Sequence, residues 1–160
     1  MIILENNFNQ NMDILVPLAK EVYSDDLNLA GLCLSQAVLE SGLADNKPSQ
    51  LAQKYNNLFG IKAGGLTKSG TDGVINLDTT EYVNGKLIKV KQQFLANLEP
   101  KDSFIQHRRL MKLVRYYDVW HKKSIFEAAS GLVKGGYATD PGYRGKLQAT
   151  YDLYVRKYFK

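Results

Sequence analysis

Two carboxylates in this chain of 160 residues occupy settings in which a carboxyl group can do acid–base work. Glu40 stands near the end of an apolar, helix-like run from Leu27 to Ser41. On that helix its neighbours at i−3, i−4 and i−7 are Ala37, Gln36 and Cys33, so it has no helical ion-pair partner. Partial burial and the negative end of the helix dipole both disfavour its ionised form, and a carboxyl that keeps its proton near neutral pH is what a general acid requires. Glu81 stands in a strand-like run between Thr80 and Tyr82, its side chain facing opposite to theirs. Two carboxyls on different elements fit hydrolysis of a glycosidic bond, in which one protonates the leaving oxygen while the other activates water or supports the cationic sugar. Each also has a plainer reading: Glu40 as an exposed helix-end residue, Glu81 as a strand-surface residue opposite one of the lysines between Lys86 and Lys91.

The elements that must carry these groups are legible from apolar spacing. Met12, Ile14, Leu15, Leu18, Ala19 and Val22 predict a first helix over 10–23, with Pro17 tolerated near its first turns. Ser24-Asp25-Asp26 offers capping oxygens to a central, largely buried helix from Leu27 to Ser41 that Gly42 stops. Pro48 leads into a short helix ending at Tyr55-Asn56-Asn57, where side-chain amides compete for the backbone. Gly60 to Gly73 holds five glycines and reads as a loop. Then the period changes: Thr79 to Val83 and Lys86 to Phe94 flank Asn84-Gly85, the preferred pair for a two-residue turn, and predict a hairpin in a β lobe spanning about 74–95. Three more helices are expected, over about 101–114, 124–133 and 143–158. Helices with one small inserted hairpin give the α+β arrangement of lysozyme type, as a single domain over 1–160.

Composition excludes several classes. Hydrophobic residues at 44% and charged residues at 23% are globular values, against a disordered or fibrous chain. One cysteine, Cys33, permits no internal disulfide, and with two histidines beside it there is no metal-finger spacing, so neither metal nor cofactor is expected. No apolar run reaches membrane-spanning length, and Met1-Ile-Ile-Leu-Glu lacks the charged start and apolar stretch of a signal peptide. The net charge of +5 is uneven: residues 101–160 hold thirteen Lys and Arg against five Asp and Glu, along with seven of the ten tyrosines. Basic residues interleaved with aromatics suit nucleic acid and suit an anionic polysaccharide or cell envelope equally well.

Four motifs in order break that tie: Ser35-Gln36-Ala37-Val38-Leu39-Glu40-Ser41-Gly42, Lys54-Tyr55-Asn56-Asn57-Leu58-Phe59-Gly60-Ile61-Lys62, Thr79-Thr80-Glu81-Tyr82-Val83-Asn84-Gly85 and Gly136-Tyr137-Ala138-Thr139-Asp140-Pro141-Gly142-Tyr143. Together they resemble the bacterial and phage β-N-acetylglucosaminidases of glycoside hydrolase family 73, which act on peptidoglycan. The resemblance implies a lysozyme-like fold and cleavage of the β-1,4 bond between N-acetylglucosamine and N-acetylmuramic acid. It implies Glu40 as general acid, Glu81 as the second carboxylate on a mobile β lobe, and Tyr137 beside the acid. A phenol there can donate to a sugar acetamido oxygen or offer a ring face to the pyranose. Asn56, Asn57, Phe59, Lys62 and Tyr143 would line the substrate groove.

The resemblance has gaps. Relatives often follow Glu-Ser-Gly with Trp-Gly where this chain has Leu43-Ala44, so one sugar-stacking aromatic is missing. His107 falls where relatives place a structural histidine and reads as packing, as Trp120 reads as core. The expected partners are peptidoglycan strands and the anionic envelope, with no nucleic acid and no membrane insertion, and the expected state is a monomer. Synthesis in the cytoplasm followed by holin release, as for a phage endolysin, or association with a virion, is the expected route to the wall. Two other readings stay open: a lytic transglycosylase, which also carries Glu-Ser-Gly on a buried helix, and a non-catalytic wall-binding or virion structural module.

Overall fold

A computed structural model of the chain describes residues 2–64 and 73–160. Six α-helices are present among them: α1 (Phe8–Val22), α2 (Leu27–Ser41), α3 (Gln50–Tyr55), α4 (Pro100–Met111), α5 (Ile125–Lys134) and α6 (Tyr143–Thr150). One antiparallel hairpin, β1 (Gly73–Val83) and β2 (Lys86–Ala96), lies between α3 and α4. The lysozyme-like α+β expectation holds. The loop expected between Gly60 and Gly73 falls mostly on 65–72, outside the described residues.

Helix α2 is the axis of the core. Asp26 caps it, its carboxylate accepting the Leu29 amide at 3.0 Å. Leu29, Leu32 and Leu34 are fully buried, as are Cys33 and Ala37. Each such leucine stabilises the fold by about 2 kcal/mol through burial. The helix packs against α1, α5 and α6, which is possible only because apolar residues run around its whole circumference. It ends where expected: Gly42 takes φ +73°, and a Cβ there would stand 2.6 Å from the Lys47 carbonyl oxygen. That position therefore needs glycine for both its dihedral and its space.

The hairpin is longer than predicted, eleven residues per strand, because pairing continues from Val83↔Lys86 back to Gly73↔Ala96. At β-strand rise it forms an arm of roughly 35 Å. Asn84 and Gly85 both adopt positive φ (50° and 77°), the two-residue turn that Asn-Gly favours. The base is tied to the helical body: Leu95 N–H donates to Ile61 O and Ala63 N–H to Gln93 O, each at 3.0 Å, and Phe94 and Leu95 are buried. Tyr82 and Leu87, near the tip, are exposed.

Three expectations need correction. Pro17 is the tenth residue of α1, beyond its first turns. It is tolerated because it faces solvent, as does Asp13, to whose carbonyl Pro17 has no N–H to donate. The final helix is not continuous to 158: after Thr150 the chain widens into a π turn (Tyr151–Val155) and tightens into a 3-10 turn (Arg156–Tyr158). The Tyr151 ring fills the space over Gly31 of α2, a packing that the helical spacing does not encode. Helix α4 stops at Met111 and is followed by a 3-10 helix (Val114–Val119). Gly135 lets this segment approach, since a Cβ there would meet the Tyr116 ring at 2.5 Å.

Candidate active site

The penultimate residue of α2, Glu40, opens into a cleft of about 400 Å³ lined also by Phe59, Gly60, Ile61, Lys62, Leu110, Arg115, Tyr116, Tyr137 and Ala138. Glu40 is an exposed residue by surface area, yet its carboxyl, turned into the cleft, has protein close on several sides. That crowding raises its pKa above the ordinary carboxylate value, while the Tyr143 hydroxyl, donating to Oε1 at 3.3 Å, pulls the other way. Burial is the larger effect. Glu40 thus combines access to the cleft with a tendency to keep its proton.

Tyrosines build the wall behind it. Tyr137 stacks on Tyr143, with centroids 5.8 Å apart and planes 18° from parallel, and meets Tyr116 edge to face at 6.0 Å. Burial above all, then the neighbouring Tyr143 and Glu40, push the Tyr137 pKa well up, so its hydroxyl is a neutral hydrogen-bonding group. One face of the Tyr137 ring is occupied by Tyr143, and the residue contributes to the cleft wall beside Glu40.

The other expected site residues divide. Phe59 and Lys62 line the cleft with Glu40 and Tyr137. Phe59 is nonetheless almost wholly buried, with ring contacts to His107 (4.6 Å) and Phe104 (5.9 Å), so it floors the cleft more than it projects into it. Lys62 reaches out to Glu81 Oε1 at 3.1 Å. Glu81 is therefore paired with a residue of the cleft rather than with a lysine across the hairpin, where its partner in register is Ile88.

Asn56 and Asn57 do not line the groove. Asn57 donates from Nδ2 to the Ile61 and Leu95 carbonyls, both at 2.9 Å, and accepts the Ile61 amide at 3.0 Å. Asn56 donates to the Asn97 and Leu98 carbonyls. Both amides are buried and spend their hydrogens on backbone carbonyls, and they fix the segment carrying Phe59 and Lys62 to the base of β2. Tyr143 is likewise buried beneath Glu40 rather than exposed to a substrate. His107, expected only to pack, hydrogen-bonds through both ring nitrogens, and Trp120 is half-buried, its Nε1 donating to Met111 O at 2.8 Å. Leu43 lies in the core. Arg115, Tyr116 and Leu110 are cleft residues that sequence reading missed; only the basic-aromatic pair Arg115-Tyr116 carried any signal.

Among the described residues no cluster of three or more His, Cys, Asp or Glu is assembled that could hold a metal ion, and no helix is long and apolar enough to cross a membrane.

The family described as Glucosaminidase, mannosyl-glycoprotein endo-beta-N-acetylglucosaminidase, matches residues 16–155. Peptidoglycan hydrolase FlgJ of Escherichia coli K12 is 36% identical over 118 residues, covering 72% of this chain and 37% of FlgJ. Exo-glucosaminidase LytG of Bacillus subtilis is 31% identical over 149 residues, covering 89% of this chain and 50% of LytG. A mutant peptidoglycan hydrolase from Sphingomonas sp. A1 superposes with a TM-score of 0.72 at 30% identity, covering 92% of this chain and 96% of that one. The chain thus spans a third to a half of these two curated relatives. A family match over nearly the whole described domain, on a lysozyme-like fold with Glu40 in its cleft, places this chain in the glucosaminidase family, glycoside hydrolase family 73.

Proposed function

We propose that this domain hydrolyses the β-1,4 bond that follows N-acetylglucosamine in peptidoglycan, with Glu40 as general acid. The observation that carries the reading is Glu40 itself: a carboxyl open to a cleft, with its protonated form favoured by burial and its position fixed by Tyr143. In the reaction the Glu40 proton passes to the glycosidic oxygen as its bond to the N-acetylglucosamine C1 breaks. A water oxygen then bonds to C1, and the proton it loses goes to the second carboxylate. Glu81 is that carboxylate in this reading, brought toward the cleft by its pairing with Lys62. It either activates water directly or assists attack by the substrate's own 2-acetamido group. Tyr137 presents its hydroxyl to an acetamido oxygen, and Arg115 and Lys62 supply cationic contacts to a substrate that carries carboxylates.

LytG is named for exo action; the proposal here is endo action, with cell-wall lysis, as by a phage endolysin, as the wider role. The excess of basic residues over 101–160 supports attraction to an anionic envelope. Digestion of purified peptidoglycan followed by mass spectrometry of the products tests bond and chemistry together. Internal fragments with reducing N-acetylglucosamine ends are expected. Terminal monosaccharide release alone would refute endo action, 1,6-anhydromuramic ends would establish a transglycosylase, and intact strands would establish a non-catalytic module.

A further inference from the structure

Behind the cleft, side chains from four elements form a continuous chain that ends on Glu40. The Tyr23 hydroxyl lies 2.6 Å from His107 Nδ1, and His107 Nε2 lies 2.7 Å from Gln36 Oε1. Gln36 Nε2 lies 3.2 Å from the Tyr143 hydroxyl, which in turn lies 3.3 Å from Glu40 Oε1. Tyr23 follows α1, Gln36 lies on α2, His107 on α4 and Tyr143 opens α6. Tyr23, Gln36 and His107 are fully buried and Tyr143 is 5% exposed, so water does not compete for the first three hydrogen bonds, while the fourth ends on the exposed Glu40 carboxyl.

The chemistry of the groups dictates where the hydrogens sit. Gln36 Oε1 can only accept, so His107 Nε2 carries its hydrogen. Burial holds His107 neutral, its pKa lowered to about 3, so Nδ1 has only a lone pair and accepts from Tyr23. Gln36 Nε2 can only donate, so the Tyr143 oxygen accepts there and its own hydrogen goes to Glu40. All four hydrogen bonds therefore point the same way, from Tyr23 toward the carboxyl.

We propose that Gln36 and His107 are positioning residues for Glu40: through this one-way chain they hold the Tyr143 hydroxyl as a donor to Oε1, leaving Oε2 to carry the proton delivered to the leaving group. The inference rests on the reading of Glu40 as the acid. A tyrosine hydroxyl held less firmly could turn to accept the Glu40 proton and divert it from the substrate. Gln36 prevents this by presenting only hydrogens to Tyr143, so a reversed Tyr143 would lose the acceptor for its own hydrogen. The other titratable or charged groups around the carboxyl are Tyr137 from the segment before α6, Arg115 and Tyr116 from the 3-10 helix and Lys62 from the cleft floor. All of these remain in the variants below.

The test compares the full chain with its Tyr143→Phe and Gln36→Leu variants by NMR titration of the Glu40 carboxyl, assigned by its absence in Glu40→Gln, by the pH profile of kcat/KM, and by 15N NMR of His107. The expected wild-type histidine is neutral with hydrogen on Nε2. Losing the donor destabilises ionised Glu40, so both variants titrate Glu40 at higher pH and move the alkaline limb of kcat/KM upward. Gln36→Leu does so although Tyr143 is still present. Hydrogen on Nδ1 of His107, or folded variants whose Glu40 titrates as in wild type, would overturn the chain. If Gln36→Leu does not fold, Tyr143→Phe and the histidine tautomer still decide. Full activity in Glu40→Gln would instead remove the acid reading, and the carboxyl titration would still report on the chain.

Discussion

The Lys62 ammonium meets the Glu81 carboxylate at 3.1 Å, linking the floor of the cleft to strand β1 of the arm. Both side chains are substantially exposed (56% and 38%), so the pair adds little to stability, under about 1 kcal/mol. Its consequence is where Glu81 points. Lys62→Met should leave the melting temperature nearly unchanged while lowering kcat/KM on peptidoglycan. An equal fall in both would make the pair merely structural.

Glu40→Gln keeps the shape of the side chain and removes the transferable proton. Loss of a general acid costs about 10²- to 10⁴-fold in rate, and that loss in kcat is expected with substrate binding retained. Lysis of purified sacculi at the wild-type rate would refute the assignment.

The raised pKa of Glu40 has a stability counterpart. A carboxyl whose folded pKa lies above its unfolded value contributes stability that is fully present below the unfolded pKa and is lost as pH rises through the folded one. Glu40→Gln cannot ionise, so its melting temperature relative to wild type should climb from acid to neutral pH. For the same reason wild-type kcat/KM should decline with pH through an alkaline limb above the ordinary carboxylate range. A difference in melting temperature that is flat with pH would show that Glu40 is not desolvated.

Asn57 satisfies two carbonyls and one amide of buried backbone. Asn57→Ala should cost about 1–3 kcal/mol in denaturant unfolding, since three hydrogen bonds to buried backbone are lost, although the Ile61 carbonyl keeps the Leu95 amide. Asn57→Asp should fare no better, because a carboxylate would face the Ile61 and Leu95 carbonyls with no hydrogen to offer. A neutral effect of either change would show that these hydrogen bonds do not hold the segment to β2.

At the end of α2, Gly42→Ala forces a Cβ into a left-handed residue and against Lys47 O. The expected cost exceeds about 1 kcal/mol, with a loss of activity because the turn that shifts is the one carrying Glu40. Thermal unfolding and turnover measured on the same preparation check both parts.

What the sequence determined by itself is local. Apolar periodicity, the Asp26 cap, the Gly42 stop and the Asn84-Gly85 turn each act within a few residues, and each element they predict is present. The singular position of Glu40, a carboxyl on an apolar helix without a partner, was visible for the same reason. Tertiary structure decided what depends on neighbours distant in the chain. Asn56 and Asn57 carry groups that suit a sugar, yet backbone carbonyls up to 42 residues away claimed them. Tyr143 and Gln36, separated by 107 positions, meet only because α6 packs on α2, and that contact turns an expected groove residue into a support for the acid. Nor does helical spacing foresee the π turn after Thr150, whose first residue seats its ring over Gly31 of a distant helix. Hydrogen-bonding capacity is written in residue type, but its partner is chosen by burial, which only the packed fold defines.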